Sequence, residues 1–124
     1  MAVLDAMRWG LPTVTTDIGS SSEEFVKNEV TGLVVPSPKE IPYVIDNFIL
    51  TSETTQYGKL IKAIRKHRHK TVDDLSEATG YLIENPEMRE KLGVAAKQEV
   101  DYGRFSLTRR NDVLKEIFDA ATDN

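Results

Sequence analysis

The pattern of apolar and polar positions near the start of the chain predicts a helix end followed by two short strands. Apolar residues surround Asp5, and Gly10 stands where a left-handed helix cap would lie. The β-branched run at 13–16 and the aliphatic run at 33–35 predict short buried strands. A short helix is expected between them, at 23–28. This strand–helix–strand order implies parallel strands joined by a right-handed crossover.

The middle of the chain has a helical pattern. Residues 41–50 are rich in large apolar side chains and are expected to form one helix. Ser52 or Thr54 is expected to cap a second helix, which ends in the basic run at 65–70. Thr71 is then expected to begin a third helix.

Two further helices are expected near the end of the chain. Asn85 and Pro86 provide a cap and a first-turn proline for a helix that runs to about residue 100. Ser106 is expected to cap the last helix. The apolar positions of that helix recur at helical spacing: Val113, Leu114, Ile117, Phe118 and Ala121.

Composition and charge narrow the range of functions. Among the 124 residues, 40% are hydrophobic and none is cysteine, so disulfides and thiolate chemistry are excluded. There is neither a signal-peptide pattern nor an apolar run of the ~20 residues that span a bilayer, and a cytoplasmic location is expected. The net charge of −4 argues against nucleic acid as a partner. Seven Lys or Arg and three Asp or Glu lie in 37–70, giving this segment +4 and the remainder −8.

Four short motifs follow one another along the chain: LDAMRWGLP at 4–12 with TD at 16–17, Gly19 and Glu24 with VTGLVVP at 30–36, NPEMR at 85–89 with LG at 92–93 and Ala96, and FS at 105–106. Their order resembles that of the family 4 (group 1) glycosyltransferases. Together the motifs cover roughly two thirds of the chain, and the segment 37–70 has no counterpart in the family pattern.

The resemblance implies a GT-B fold, in which two Rossmann-like domains face each other across a cleft. The present chain corresponds to part of the C-terminal, donor-binding domain: an α/β fold with two short parallel strands flanked by helices, and a helical basic insert at about 37–70. The family transfers a sugar from a nucleotide-sugar, such as a UDP- or GDP-sugar, with retention of configuration. It has no obligatory metal or other cofactor, and its last helix crosses back to the N-terminal domain.

By the same resemblance, Asp5 is the candidate for binding the donor ribose. The family has two glutamates at this site, one on the transferred sugar and one on the ribose, and Asp5 occupies the second position. The first position would fall eight residues earlier, outside the 124 residues, as would the glycine-rich phosphate loop. We therefore expect no catalytic residue here, no activity of the chain alone, and an N-terminal domain as its missing partner.

Other candidates have an ordinary structural interpretation beside a functional one. Gly10, Gly19 and Gly32 are expected to be turn and cap glycines rather than ligand contacts. Trp9 is expected to be a packing residue. The serines at 20–22 correspond to a cleft-bordering loop of the family but are expected to have a loop and helix-cap role. Glu24 matches a family position but is expected to stabilise a helix start. His67 and His69 could form a metal pair, which their spacing disfavours.

The basic run at 59–70, bounded by Lys59 and Lys70, leaves two interpretations open. It is either the solvated end of a helix or a contact for an anionic surface, such as membrane phospholipid or an acidic acceptor. The alternative to a glycosyltransferase portion is a non-catalytic Rossmann-like association module. The uncovered edge of the first strand predicts either a homodimer or coverage of that edge by residues 41–64.

Overall fold

A computed structural model of the protein describes residues 2–17, 24–37 and 54–122, with side chains from residue 61 onward in the last segment. These residues form an α/β structure, which confirms the predicted fold class. The elements in chain order are α1 (Ala2–Arg8), β1 (Thr13–Thr16), β2 (Gly32–Val35), α2 (Thr54–Glu84), α3 (Pro86–Asp101) and α4 (Leu107–Thr122). The helix predicted at 41–50 lies outside the described residues.

The two strands pair in parallel, as predicted. The register aligns Thr13 with Gly32 and Thr16 with Val35, so β2 begins one residue earlier than expected. Gly32 is therefore the first residue of a strand rather than a turn glycine. A Cβ at this position would stand 2.8 Å from Cγ1 of Val26 and closer still to the carbonyl oxygen of Thr13. Glycine thus permits the close approach of the two chain segments.

The prediction of a helix at 23–28 is wrong at the C-terminal end of that range. Residues 24 and 25 are helical, but Asn28 makes a parallel bridge to Gly32. Thr31 makes two hydrogen bonds with the Lys27 backbone. Its hydroxyl accepts from the Lys27 N–H at 2.9 Å, and its own N–H donates to the Lys27 carbonyl at 2.9 Å. Glu29 adopts a φ of 59°, which ends any helical path here.

The predicted helix end before Gly10 is confirmed and has a defined geometry. The Leu11 N–H donates to the Ala6 carbonyl and the Gly10 N–H to the Met7 carbonyl, each at 2.9 Å. Gly10 has a φ of 69°. This pair of hydrogen bonds around a left-handed residue is the Schellman motif, which satisfies carbonyls that the helix end would otherwise leave unpaired. Pro12 follows, where a helix could not continue.

The prediction that Thr71 begins a separate helix is wrong. Helix α2 runs without interruption for 31 residues, through the basic run and past Thr71. The Thr71 hydroxyl donates to the His67 carbonyl at 3.3 Å, a bond that a threonine makes inside a helix. Lys70 pairs with Asp74 one turn later, and this ion pair across Thr71 supports a continuous helix.

Helix α3 begins as predicted, with Asn85 at the cap position and Pro86 in its first turn. The Asn85 side chain makes no capping hydrogen bond, however. Its Nδ2 donates to the Tyr81 carbonyl at 2.8 Å, which ties the start of α3 to the end of α2.

The core lies where α1, α3 and the sheet meet. Its buried apolar side chains are Met7, Val26, Val35, Leu82, Leu92 and Ala96. Helix α1 packs on α3 and on β1, while α2 contacts both strands and α3. At the centre of the α1–α3 contact, a Cβ on Gly93 would stand against the carbonyl oxygen of Gly10 and 3.0 Å from its carbonyl carbon.

Helix α4 stands outside this core. Ser106 caps it as predicted: its buried Oγ accepts a hydrogen bond from the Arg109 N–H at 3.2 Å. No residue of α4 itself is buried. Its apolar residues, including Ile117 and Phe118, remain exposed, the latter two at 58% and 66%.

We predict that Gly93→Ala destabilises the protein. Adding one methyl group forces the helix away from the Gly10 backbone, and overpacking of this kind costs about 1–3 kcal/mol. Gly80→Ala is the matched control, because a Cβ there has no atom within 4 Å. We expect this control to stabilise α2 by about 1 kcal/mol. Urea unfolding followed by circular dichroism measures both, and equal stability of the two variants would contradict the prediction.

Candidate functional site

The carboxyl edge of the sheet is where a ligand site is expected. In open α/β sheets, ligands bind in the crevice beyond the carboxyl ends of the parallel strands. Here β1 ends at Thr16 and β2 ends at Val35. Helix α1 contacts β1 and leads into it through the Gly10 turn. A helix that precedes a strand of a parallel sheet runs antiparallel to it, so we expect the N-terminal end of α1 to lie toward the same edge.

Asp17 and Ser37 join the two strands at this edge. The Asp17 N–H donates to the Val35 carbonyl at 3.2 Å and extends the ladder by one bond. The Asp17 carboxylate accepts hydrogen bonds from both the N–H and the hydroxyl of Ser37, the former at 2.6 Å. The sequence pattern did not indicate this contact. Its carboxylate fixes the spacing of the two strand ends.

Asp5 lies on the exposed side of α1. It stands two residues before Met7, about 200° around the helix, and Met7 is fully buried against the core. The carboxylate therefore faces away from the α1–α3 contact. Its backbone carbonyl accepts a hydrogen bond from the Trp9 N–H at 3.2 Å, which belongs to the helix end.

The other candidates from the sequence do not gather around Asp5. Trp9 is 81% exposed, so its interpretation as a packing residue is wrong: the Schellman turn directs it away from the core. The backbone carbonyl oxygen of Glu24 accepts a hydrogen bond from Nη1 of Arg104 at 3.2 Å. Gly19 and the serines at 20–22 lie outside the described residues.

His67 and His69 point to different sides of α2. They are two residues apart on a continuous helix, so their side chains are about 200° apart and cannot share one ion. His67 is half-buried, whereas His69 is exposed. Across residues 2–17, 24–37 and 54–122, no cluster of His, Asp or Glu is arranged to hold a metal.

Sequence analysis missed an ion-pair cluster centred on Glu99. Its Oε1 lies 3.1 Å from Lys27 Nζ, and its Oε2 lies 2.8 Å from Arg104 Nε. The guanidinium carbon of Arg104 stands 4.7 Å from the centroid of the Phe105 ring, which packs 5.4 Å from the ring of Phe25. The cluster joins α3 to the turn before β2, 72 residues away in sequence.

The cluster changes the acidity of its central carboxyl group. Burial acts to raise the pKa of Glu99, but hydrogen bonds from Arg104 and Lys27 outweigh it and hold the pKa below the ordinary value of 4.5. The carboxylate is thus charged throughout the neutral range. Both of its oxygens accept hydrogen bonds from basic side chains, and these contacts fix the end of α3.

An open groove of about 430 Å³ lies beside this cluster. It is bounded by Val30 and Thr31 on one side and, on the other, by Glu99 in the last turn of α3 and by Tyr102 directly after that helix. Val30 and Thr31 precede β2, so the groove lies at the amino end of the sheet. It is therefore on the opposite side from the edge where parallel α/β sheets bind ligands.

Comparison with known proteins identifies the first part of the chain. Residues 1–50 match the family model described as glycosyl transferases group 1. The matched segment includes α1, β1, β2 and Asp5, and this part of the chain is similar to group 1 glycosyltransferases, as the motifs within 4–36 predicted. No curated protein and no solved structure has a significant match to the chain. None of the described helices is long and apolar enough to span a membrane.

We predict that Glu99→Gln destabilises the protein by about 1 kcal/mol near neutral pH, the size of a partly exposed ion pair. Because the folded-state pKa of Glu99 is lowered, its contribution is complete above the unfolded-state pKa. That contribution is lost as the pH falls through the folded-state value, below 4.5. The difference in unfolding free energy between wild type and variant should therefore shrink in acid.

Urea unfolding at a series of pH values measures this difference. Glu90→Gln is the control, since Glu90 is an exposed carboxylate on the same helix with no ion-pair partner among the described residues. A destabilisation by Glu99→Gln that is constant over the whole pH range would show that the charge of Glu99 contributes nothing.

Proposed function

We propose that the chain forms part of the donor-binding domain of a group 1 glycosyltransferase that transfers a sugar from a UDP- or GDP-sugar with retention. One observation carries the proposal. The segment that matches the family, residues 1–50, contains the helix and two parallel strands that define a carboxyl edge. Asp5 is the only site residue that the resemblance transfers onto this chain. It lies on that helix and is exposed.

In this proposal Asp5 binds the ribose of the donor. A carboxylate accepts hydrogen bonds only, and the neighbouring ribose hydroxyls present two donors to it. The rigid Schellman end of α1 and the contact of Met7 with the core hold the helix in place. Aspartate is one methylene shorter than the glutamate of the family, so the ribose must approach α1 more closely than in relatives with glutamate.

The proposal assigns chemistry to residues beyond the 124 present. Cleavage of the sugar–diphosphate bond develops negative charge on the leaving diphosphate, and that charge requires preorganised donors. In the family pattern, the phosphate loop and the glutamate on the transferred sugar both precede the position of Met1. In this proposal the 124 residues bind the nucleotide through Asp5 and form part of the sheet, while other residues stabilise the diphosphate. We propose that the 124 residues are inactive by themselves.

Helix α4 supports the need for a further domain. Its apolar residues lie exposed along one helix, and the resemblance implies that the last helix crosses back to an N-terminal domain. The same exposed surface also favours the second candidate, a non-catalytic association module. The two candidates differ in one respect, because only the first requires a nucleotide to bind near Asp5.

Nucleotide binding tests the proposal. We predict that UDP or GDP binds the chain with a Kd of about 1 mM or weaker. One carboxylate on ribose contributes at most ~1.5–3 kcal/mol, and millimolar affinity already requires about 4 kcal/mol. Titration followed by amide NMR shifts should show changes centred on α1. They should be lost in Asp5→Ala and retained in Asp112→Ala, an exposed aspartate on α4. Shifts that survive in Asp5→Ala would remove the ribose assignment.

Sugar transfer tests the division of roles. We expect no transfer from any UDP- or GDP-sugar by the purified 124-residue chain, because the motifs that the resemblance transfers onto these residues do not include the family's phosphate loop. Product above an enzyme-free blank would mean that the chain contains a complete catalytic site. Glycerol, simple sugars and water serve as acceptors, so that the absence of product does not depend on one acceptor.

A further inference from the structure

The N-terminal half of α2 carries a stripe of basic residues on one side. Lys62, Arg65, Lys66 and His69 follow the spacing i, i+3, i+4 and i+7, which places them on one face of a helix. All four are exposed. We call these four residues the basic stripe. Helix α2 is continuous through them and rigidly connects the stripe to the part of the helix that packs on the sheet and α3.

The opposite side of α2 packs against the domain. Its residues recur at helical spacing and are half-buried or buried: Ile64, His67, Thr71, Leu75, Ala78 and Leu82. Leu82 is only 5% exposed and belongs to the core. The basic stripe consequently faces outward, away from the sheet, and is available to a partner outside the domain.

The charges of the stripe are not balanced within the described structure. Lys62, Arg65 and Lys66 have no ion-pair partner among the described residues, whereas several other helical lysines pair with a carboxylate four residues on: Lys70 with Asp74, Lys97 with Asp101 and Lys115 with Asp119. Like charges at i, i+3 and i, i+4 repel one another and destabilise a helix. Helix stability therefore does not account for the stripe, and an external anion would relieve the repulsion.

We propose that the basic stripe docks the protein onto an anionic phospholipid surface. Acidic headgroups attract lysine and arginine side chains near the membrane surface, and each of the three in the stripe adds to that attraction. The rest of the chain carries −8 outside 37–70, so an anionic surface is attracted to this segment rather than to the remainder. A planar surface contacts the outward face of α2 alone. An extended polyanion such as nucleic acid would pass beyond the stripe, which Asp73 ends one turn later. The proposal does not depend on the glycosyltransferase assignment.

The contact is electrostatic and superficial. The described part of α2 cannot cross a bilayer, and the stripe itself contains no large apolar side chain that would insert. Attachment should therefore be reversible and weaken with salt, since exposed charges are screened over about 8–10 Å at physiological ionic strength.

Vesicle co-sedimentation of the full chain tests the proposal. The vesicles are phosphatidylcholine alone or an equal mixture of phosphatidylcholine and phosphatidylglycerol. We expect binding to the mixture, little binding to phosphatidylcholine, and loss of binding as salt is raised. The triple variant Lys62→Glu, Arg65→Glu, Lys66→Glu should reduce the partition coefficient at least about tenfold, since each basic residue near the surface contributes attraction.

The matched control carries the same change in charge elsewhere. Lys91→Glu, Arg109→Glu and Arg110→Glu alter three exposed residues on α3 and α4. This variant should bind the vesicles somewhat more weakly than wild type, because its net charge is more negative. It should bind several-fold more tightly than the stripe variant. Circular dichroism confirms that both variants keep wild-type helicity. If the stripe variant unfolds, the single variants Lys62→Gln and Lys66→Gln replace it.

Three results would overturn the proposal. The first is absence of wild-type binding to the mixed vesicles at low salt, and the second is equal loss of binding in the two triple variants. The third is tighter binding of wild type to a short DNA duplex than to the mixed vesicles at the same salt concentration, which would make the stripe a nucleic-acid contact. None of these results bears on nucleotide binding at Asp5, so the two proposals fail independently.

Discussion

The close approach of two backbone segments, at Gly10 and Gly93, determines how the helices are arranged. Without side chains at this point, the capped end of α1 reaches the backbone of α3, and Met7 and Leu92 are fully buried beside the contact. The same turn sends the chain through Pro12 into β1. The position of Asp5 relative to the sheet therefore follows from a contact on the other side of its helix.

Local chemistry made much of this architecture predictable from the sequence. A glycine that adopts a positive φ and a proline two residues later specify one helix end, and the β-branched run after them specifies a strand. Pro86 similarly marks the start of α3, and the Ser106 hydroxyl caps α4 as expected. Each of these residues determines the structure of its immediate sequence neighbours, so these features do not depend on tertiary contacts.

The features that could not be predicted depend on residues distant in sequence or on signals with two meanings. Thr71 has a hydroxyl that can cap a helix or bond to the preceding turn, and only the surrounding helix decides between them. Glu99 meets Lys27 across 72 residues, a distance over which no periodic pattern operates. For the candidate site, the sequence supplied Asp5 through a family resemblance, but the exposure of Asp5 came from the structure.

Helix α4 has a consequence for the cooperativity of folding. Because none of its residues is buried, its folding equilibrium is connected to the rest of the domain mainly through the Ser106 cap. A 16-residue helix without tertiary packing is only marginally stable in water. The described residues up to Ser106 thus share one packed core, whereas the order of the helix that follows depends on its own local equilibrium. A partner that covers the apolar side of α4 would fold that helix as it binds.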